Sequence, residues 1–319
     1  MTYKVLLPED MEEENKKYLR DNDFAVIMGT GLDEATVCAD IKDCDAVIVR
    51  NIQYTKKIMA AGKKLKIMAV HGAGFDNVDI AAATELGIQV VNAPGANAEG
   101  VAEYTIGLML ALACRFQAAD QAVRSQDWDY RNRDKRLDFS DRIVGIVGYG
   151  HIGKKVAAYL NNSFQPQIVV YDPLYVGAKD FGKIHFTASL EEVLQAADIL
   201  TVHVPLDNTT RNMLGAKQFA MLKKGSILIN CARGGVCVEA DLCQALTSGQ
   251  LAGAGIDVYA SEPFNTKNPL LAAPNVIFSP HWAGLSLTDV RRMGLYAAQG
   301  IVEFFSGQPL SYPVNTLKK

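Results

Sequence analysis

Short runs of aliphatic residues alternate with amphipathic, helix-like stretches along most of the chain. In the first third, runs such as YKVLL, AVIV and KIMAV are separated by stretches such as EEENKKYLRD. A long helical stretch from about residue 97 to about residue 128 follows, and a second alternating series runs from RIVGIVG to NVIFSP. Strands that alternate with helices form parallel sheets covered by helices on both faces. The pattern therefore predicts the α/β class, with two doubly wound parallel-sheet domains.

The two alternating series predict a domain boundary near residue 97. We expect residues 1–97 to belong to the first domain and residues 98–285 to form the second. The last helical stretch, from about residue 286 to about residue 305, has no further strand to cover. We therefore assign it to the first domain, which then comprises residues 1–97 and 286–319.

Composition and charge exclude several classes of protein. Of the 319 residues, 49% are hydrophobic and 21% are charged, which favours packed cores over disorder. The net charge of −3 indicates no basic face for a nucleic acid. The longest apolar run, TIGLMLALAC, is too short to span a membrane, and the first residues predict a strand rather than a signal peptide. We expect no nucleic-acid partner and no membrane partner.

The six cysteines do not have the spacing of a metal site. They form no C-x-x-C pair and no cluster with histidine at zinc spacing. Most of them lie in apolar surroundings, which favours small buried side chains. We therefore expect no bound metal and a reduced, cytoplasmic protein.

The most sharply defined local motif is a glycine-rich turn in IVGIVGYGHIGKKV. Gly148, Gly150 and Gly153 follow an apolar strand and open a helix, as the phosphate loop of a dinucleotide-binding fold requires. The next strand, QIVVYD, ends in Asp172, where an acid binds the ribose hydroxyls of adenosine and repels a 2′-phosphate. The motif predicts binding of NAD rather than NADP. The alternative is a surface aspartate that caps a turn.

Several later strands of the second series end in polar residues. His203 follows ILTV, Arg233 follows SILIN, Glu262 follows GAGIDVY and His281 follows NVIFSP. Because ligands bind outside the carboxyl ends of parallel strands, we expect Arg233, Glu262 and His281 to converge on the cofactor. Each also has a simpler interpretation: a solvent-exposed arginine, a turn acid and a satisfied histidine.

The three residues together suit the reduction of a ketone by hydride. Such a reaction needs a hydride on carbon and a proton on oxygen, and a histidine titrates near neutral pH. A carboxylate paired with the other ring nitrogen, here from Glu262, orients the ring and favours its charged form. Arg233 binds the carboxylate of a 2-keto acid in this interpretation, and Gly234 and Gly235 let the nicotinamide come close.

Seven ordered motifs resemble those of the D-isomer-specific 2-hydroxyacid dehydrogenases. They are HGAGFDNVD, GVAEYTIGLML, GYGHIG, HVPL, NCARGG, DVYASEP and SPHWAG, and they extend over nearly the whole chain. Within that family, VIVRN and GAGFDNVD look most like the D-3-phosphoglycerate dehydrogenases. The resemblance implies a flavodoxin-like substrate domain, a Rossmann NAD-binding domain, a small 2-hydroxy or 2-keto acid as the partner molecule, and a homodimer.

The resemblance also implies roles for individual residues. Arg233 becomes the substrate-binding arginine, Glu262 the acid paired with the imidazole, and His281 the general acid/base. The expected substrate contacts are Arg50, Ala73 and Gly74. The expected NAD contacts are Gly148, Gly150, His151, Ile152, Gly153, Asp172, His203, Val204, Pro205, Cys231, Ala232, Asp257 and Gly284.

Some alternatives remain open from the sequence. Related corepressors keep this scaffold as non-catalytic, NAD-sensing binding proteins, and oxidants of formate or phosphite share the fold. Trp282 stands where the family has a small or aliphatic residue after the catalytic histidine. Arg50 is either a contact for a substrate phosphate or the arginine of a surface ion pair.

Overall fold

The computed structural model of the chain describes residues 2–175 and 177–317. The chain divides into two compact units, Met1–Asn97 with Leu285–Lys319, and Ala98–Gly284. The elements before residue 97 are β1 (Tyr3–Leu7), α1 (Glu13–Asp21), β2 (Phe24–Met28), α2 (Glu34–Asp40), β3 (Ala46–Val49), α3 (Lys56–Ala61), β4 (Ile67–Val70), α4 (Ile80–Glu85) and β5 (Gln89–Val91).

The second unit contains the longer series of elements. They are α5 (Ala98–Ala113), α6 (Phe116–Arg124), α7 (Tyr130–Arg133), β6 (Ile143–Val147), α8 (His151–Tyr159), β7 (Gln167–Tyr171), β8 (Ile184–Thr187), α9 (Leu190–Ala196), β9 (Ile199–Val202), α10 (Ala216–Met221), β10 (Ser226–Asn230), α11 (Glu239–Thr247), β11 (Leu251–Ile256) and β12 (Val276–Phe278). The last helix, α12 (Leu287–Phe305), belongs to the first unit. Short 3-10 turns lie at Ile41–Asp43, Pro173–Tyr175, Gly234–Val236 and Pro269–Ala272, and a π-helical turn lies at Leu160–Phe164.

The sheet of the first unit is parallel, with the strand order β2-β1-β3-β4-β5. This is the order of flavodoxin-like folds. Strands β3 and β4 are buried along their whole length, as expected for strands covered on both faces. Helix α12 covers one face, where Ala297, Ala298 and Ile301 pack with β1 and β3 residues.

The sheet of the second unit is also parallel, with the order β12-β11-β10-β9-β6-β7-β8. Counted from β6, this is the Rossmann order 3-2-1-4-5-6 with β12 added at one edge. The order reverses between β6 and β9, and the carboxyl ends of these strands are where such folds bind ligands. The predicted class of two doubly wound parallel-sheet domains is confirmed.

The predicted continuous helix between residues 97 and 128 is wrong. Helix α5 ends at Ala113, and Arg115 adopts a left-handed backbone conformation with φ of 56° before α6 begins. A left-handed residue just after a helix terminates its hydrogen-bond ladder. The apolar run TIGLMLALAC lies in α5 except for its last residue, Cys114, and no helix among the described residues is long and apolar enough to cross a membrane.

Candidate active site

The glycine-rich loop joins β6 to α8, and its three glycines meet different demands. Gly148 has a φ of +97°, and a Cβ there would lie 2.6 Å from the carbonyl oxygen of His203. A Cβ on Gly153 would lie 2.1 Å from the carbonyl oxygen of Gly148, so this glycine allows helix and strand to pack closely. A Cβ on Gly150 would have no described atom within 4 Å. The backbone at Gly150 is therefore open to a ligand at the N-terminus of α8, as pyrophosphate binding requires.

Asp172 follows β7 and lies beside this loop. Its Oδ2 accepts a hydrogen bond from the Tyr149 N–H at 2.7 Å, and its Oδ1 accepts one from the Leu174 N–H at 2.8 Å. Each carboxylate oxygen has two lone pairs, so both retain capacity for a ribose hydroxyl. Asp172 thus caps the 3-10 turn at Pro173–Tyr175 and remains partly exposed. The open backbone at Gly150 and this acid fit an adenine dinucleotide without a 2′-phosphate.

The residues just after β9 pack against the glycine-rich loop. His203 Nε2 lies 3.0 Å from Thr201 Oγ1, while Nδ1 has no partner among the residues that the structure describes. Desolvation lowers the pKa of His203 to about 3, so the ring is neutral at physiological pH. The Val204 side chain also approaches Gly148, with Cγ1 3.0 Å from the position of a Cβ there. The Pro205 carbonyl oxygen accepts a hydrogen bond from Thr210 Oγ1 at 2.6 Å.

Arg233 is presented by a turn that β10 itself stabilises. The buried Asn230 side chain accepts a hydrogen bond from the Ala232 N–H and donates one to the Arg233 carbonyl oxygen, each at 3.0 Å. Cys231 and Ala232 are buried beneath the turn. The Arg233 guanidinium is half-buried and donates from Nη1 to the Ala232 carbonyl oxygen at 2.7 Å. The arginine is therefore held at a strand end rather than extended into solvent.

The two glycines after Arg233 lie against other parts of the protein. A Cβ on Gly234 would lie 1.9 Å from the carbonyl carbon of Tyr259, so the Arg233 turn packs directly on the backbone that leads to Glu262. A Cβ on Gly235 would lie 3.1 Å from the Leu206 side chain. Both glycines therefore also serve packing within the unit, and their expected role beside the nicotinamide stays a prediction.

Glu262 and His281 form a close pair. His281 Nδ1 lies 2.7 Å from Glu262 Oε2, and the Tyr259 N–H donates to Glu262 Oε1 at 3.0 Å. The Glu262 hydrogen bond is the largest cause that raises the pKa of His281, and partial burial opposes it. Burial alone would raise the pKa of Glu262, but the hydrogen bond and charge of His281, with smaller contributions that include the Arg233 charge, hold it below its usual value. The pair is therefore stabilised as imidazolium and carboxylate.

The backbone of the histidine loop is fixed by Asp257, at the end of β11. Its buried carboxylate accepts hydrogen bonds from Ser279 Oγ at 2.5 Å, the Trp282 N–H at 2.7 Å and the Ala283 N–H at 3.0 Å. The His281 N–H donates to the Asp257 carbonyl oxygen at 2.8 Å, and His281 has a φ of 53°. Left-handed non-glycine residues are uncommon and cluster at functional sites. The described side-chain hydrogen bonds of Asp257, which we expected to contact NAD, are all with this loop.

The second unit matches a known family. Residues 106–283 match the model of the D-isomer specific 2-hydroxyacid dehydrogenase, NAD binding domain. The chain belongs to this dehydrogenase family. The predicted family and the predicted NAD cofactor are both confirmed by this match.

Individual relatives of the chain support the same placement. The D-3-phosphoglycerate dehydrogenase of Archaeoglobus fulgidus is 35% identical over 98% of the chain, which spans 59% of that relative's length. The TT0316 protein of Thermus thermophilus superposes with a TM-score of 0.88 at 30% identity, covering 98% of this chain and 100% of that one. An NADPH-dependent glyoxylate/hydroxypyruvate reductase of Sinorhizobium meliloti, bound to NADP and malonate, has a TM-score of 0.86 at 30% identity, covering 98% and 97%. The expected resemblance to D-3-phosphoglycerate dehydrogenases is confirmed.

The expected substrate residues lie in the first unit, after β3 and β4. Arg50 donates from Nη1 to the Asp10 carbonyl oxygen, and its own carbonyl oxygen accepts from Asn77 Nδ2 at 2.6 Å. The Ala73 carbonyl oxygen accepts a hydrogen bond from Asn92 Nδ2 at 2.7 Å. Arg50, Ala73 and Gly74 are all half-buried. Arg50 directly follows β3, and Ala73 and Gly74 lie in the loop after β4. Within the residues that the structure describes, Arg50 forms no ion pair.

Two residues of the site were given no role from the sequence. Tyr259 donates its hydroxyl hydrogen bond to the Ser279 carbonyl oxygen at 2.8 Å, and Glu239 binds the loop that carries Glu262. The role of Tyr259 is visible in the close approach of Gly234 to its backbone, which exists only in the folded chain. Across residues 2–175 and 177–317, no group of three or more histidine, cysteine, aspartate or glutamate side chains has the arrangement of a metal site.

Proposed function

We propose that the chain is an NAD-dependent oxidoreductase that interconverts a small D-2-hydroxy acid and its 2-keto acid. The observation that carries the proposal is the His281–Glu262 pair, 2.7 Å apart, on the unit that matches the family's NAD binding domain. The pair supplies a proton donor whose charged form is favoured near neutral pH. Arg233, close enough to lower the pKa of both members through its charge, supplies a cation for the substrate carboxylate.

The residues divide the chemistry between them. NAD, when bound, supplies or accepts the hydride at the carbon that carries the oxygen. In the reduction, His281 donates a proton from Nε2 to the carbonyl oxygen, since Nδ1 is taken by Glu262. Glu262 fixes the ring orientation and stabilises the imidazolium before the proton leaves. In the oxidation, neutral His281 takes the hydroxyl proton at the same nitrogen.

Arg233 would bind the substrate carboxylate through its planar guanidinium. Bidentate binding fixes the plane of the 2-keto acid and places its carbonyl oxygen toward a proton donor. The same charge polarises the carbonyl group and stabilises the negative charge that develops on oxygen. Asp172 would bind the adenosine ribose and disfavour NADP, and the segment from His203 to Pro205 would line the cofactor beside Gly148.

The substrate side chain distinguishes the candidate reactions. Relatives of the chain are D-3-phosphoglycerate dehydrogenases, while a structural neighbour is a glyoxylate/hydroxypyruvate reductase. Under the phosphoglycerate hypothesis, Arg50 would contact the phosphate, and Ala73 and Gly74 would offer amides to the carboxylate. A comparison of matched 2-keto acids with and without a phosphate group decides between the two classes, with Arg50→Ala as the specific variant.

The proposed assembly is a homodimer. Apolar side chains are exposed on α6 and just after it, with exposed fractions of 58% for Phe116, 62% for Val123 and 67% for Trp128. Such a patch favours burial against another protein surface, and the family resemblance points to a second copy. Light scattering should give twice the chain mass, and Val123→Lys should reduce it toward one chain mass.

The proposal also includes a cytoplasmic location, which cell fractionation tests.

The decisive experiment measures NADH oxidation with a panel of 2-keto acids. Wild-type protein should turn over at least one of them, and His281→Ala should lose roughly 100- to 10,000-fold in kcat, the usual contribution of a general acid. His185→Ala is the matched control, because His185 Nδ1 also lies 2.7 Å from a carboxylate, that of Asp180, on an exposed surface. NADH binding without turnover of any keto acid would support the non-catalytic NAD-sensing alternative instead.

A further inference from the structure

Glu239 accepts hydrogen bonds from both ends of one loop segment. It is the first residue of α11, and its Oε1 accepts from the Ala260 N–H at 2.7 Å while Oε2 accepts from Asn268 Nδ2 at 2.5 Å. The segment between these two partners, residues 260–268, carries Glu262. One carboxylate therefore closes the loop that presents the acid to His281.

The segment has limited packing of its own. Residues 261–263 and 265–267 are exposed, and Phe264 is the half-buried residue between them, with its ring centroid 4.2 Å from that of Tyr259. The Asn268 side chain also accepts from the Leu270 N–H at 2.9 Å, which caps the following 3-10 turn. An exposed loop of this kind depends on its end contacts for a single conformation.

The anchored amide is adjacent to the catalytic pair. Ala260 directly follows Tyr259, whose own N–H donates to Glu262 Oε1 at 3.0 Å. The Tyr259 hydroxyl donates to the Ser279 carbonyl oxygen, two residues before His281, and burial raises the pKa of Tyr259 to about 12, so the phenol keeps its proton. Two neighbouring backbone amides thus donate to two different carboxylates, the Tyr259 amide to Glu262 and the Ala260 amide to Glu239.

We propose that Glu239 is a positioning residue, which holds the loop 260–268 so that the Glu262 carboxylate stays on His281 Nδ1. A carboxylate acceptor makes both hydrogen bonds charge-assisted. Glu239 contacts no reacting atom in this proposal. The kinetic effect of this role rests on the proposed function. The positioning itself does not, since the contact between Glu262 and His281 exists without substrate.

The consequence of losing Glu239 follows from the charges around His281. The charged groups that act on the ring are Glu262, Arg233 and Asp257, and the hydrogen bond from Glu262 is the largest influence. In Glu239→Ala, the Ala260 amide and the Asn268 amide lose their acceptors, and Glu262 spends less time on Nδ1. The pKa of His281 should then fall, because burial and the Arg233 charge both lower it.

The first test is an NMR titration of the histidine side chains in the full chain. The five histidines give few signals, and the His281 signal is identified by its loss in His281→Gln. Glu239→Ala should move the His281 midpoint to lower pH. Asp241→Ala is the matched control, because Asp241 is an acid in the same helix turn but accepts from the Ala216 N–H at 2.8 Å instead. It should leave the midpoint unchanged.

The second test uses turnover with a 2-keto acid. Glu239→Ala should lower kcat/KM by about 10-fold at alkaline pH, the size expected for losing a charge-assisted hydrogen bond, and by less at acid pH. A merely structural loss would lower activity equally at all pH values. Glu239→Gln, which keeps one oxygen acceptor, covers the case in which the alanine variant does not fold, and should move the midpoint in the same direction by less.

The outcomes separate the two proposals. A wild-type His281 midpoint in a folded Glu239→Ala or Glu239→Gln variant overturns the positioning role, and so does an equal shift in Asp241→Ala. Failure of the wild-type chain to turn over any 2-keto acid overturns the proposed function, while the titration still decides the role of Glu239.

Discussion

His281 Nδ1 and Glu262 Oε2 lie 2.7 Å apart although 19 residues separate them along the chain. The two residues follow different strands, β11 and β12, which are neighbours in the sheet. The contact shifts their pKa values in opposite directions, raising that of His281 and lowering that of Glu262. In the proposed reduction, this contact would keep the proton on the His281 ring and leave Nε2 to face the substrate.

Removal of the Glu262 charge should change the pH dependence of the reaction. In Glu262→Gln, the pKa of His281 falls, so protonated His281 is lost at lower pH and the alkaline limb of the reduction moves to lower pH. The acid limb of the oxidation, which needs neutral His281, should move the same way. We expect a loss of roughly 10-fold in reductive kcat/KM at about pH 8, less than removal of the general acid would cost.

The control for this variant is Asp180→Asn, which breaks the exposed His185–Asp180 pair in the same unit. Its pH profile should match that of the wild type. An unmoved alkaline limb in Glu262→Gln would mean that another group donates the proton.

Arg233→Lys should lower kcat/KM strongly, although it keeps the positive charge. Lysine cannot form the two parallel hydrogen bonds of a guanidinium with a carboxylate. We expect kcat/KM to fall roughly 10- to 100-fold, the equivalent of one charge-assisted hydrogen bond. Arg211→Lys, an exposed arginine of the same unit, is the control. Near-normal kcat/KM in Arg233→Lys argues against the carboxylate role.

Asp172→Ala should weaken NAD binding and relax the discrimination against NADP. The variant loses the acceptor for the ribose hydroxyls together with the charge that repels a 2′-phosphate, so Kd for NAD should rise by roughly 10-fold. Calorimetric titration with both dinucleotides measures this, and Asp33→Ala, which removes the N-cap of α2, controls for loss of an ordinary cap. An unchanged ratio of the two affinities would show that Asp172 does not face the ribose.

Gly234→Ala should damage stability and activity together. Its Cβ would lie 1.9 Å from the Tyr259 carbonyl carbon, and backbone atoms must move to admit it. We expect the free energy of unfolding to fall by about 2 kcal/mol, as in other overpacked sites, with a loss of kcat because Glu262 follows Tyr259. Denaturant unfolding and kinetics measure the two effects.

Gly235→Ala is the adjacent control, since the three atoms nearest to its Cβ would all belong to flexible side chains, the closest being that of Leu206 at 3.1 Å. It should lose less stability than Gly234→Ala. Equal losses in the two variants would contradict the contact between the Arg233 turn and Tyr259.

The fold class could be predicted from the sequence because its strands have a clear local pattern. Buried parallel strands are short continuous aliphatic runs, and the glycine-rich turn and Asp172 mark the Rossmann order locally. The break between α5 and α6 could not be predicted, because Arg115 is not a residue type that signals a left-handed backbone. Propensity gives no warning when tertiary packing imposes such a conformation.

The candidate site could be predicted as a set of residues but not as a set of contacts. Strand ends identified Arg233, Glu262 and His281, since parallel strands deliver their ends to one edge. Three other features depend on how loops meet in space: the closeness of Gly234 to Tyr259, the hydrogen bonds of Glu239 to residues 260–268, and those of Asp257 to the histidine loop. Sequence spacing carries no information on such meetings.

The central claim is that this chain transfers a hydride to a 2-keto acid while His281 supplies the proton. The most direct measurement follows a single turnover of NADH deuterated at the transferring position, with the product examined by mass spectrometry. The account predicts one deuterium at C2 of a D-2-hydroxy acid with the wild type, and roughly 100-fold or slower transfer with His281→Ala despite normal NADH binding. Tight NADH binding without deuterium transfer to any 2-keto acid, or equal transfer rates in the two proteins, would contradict it.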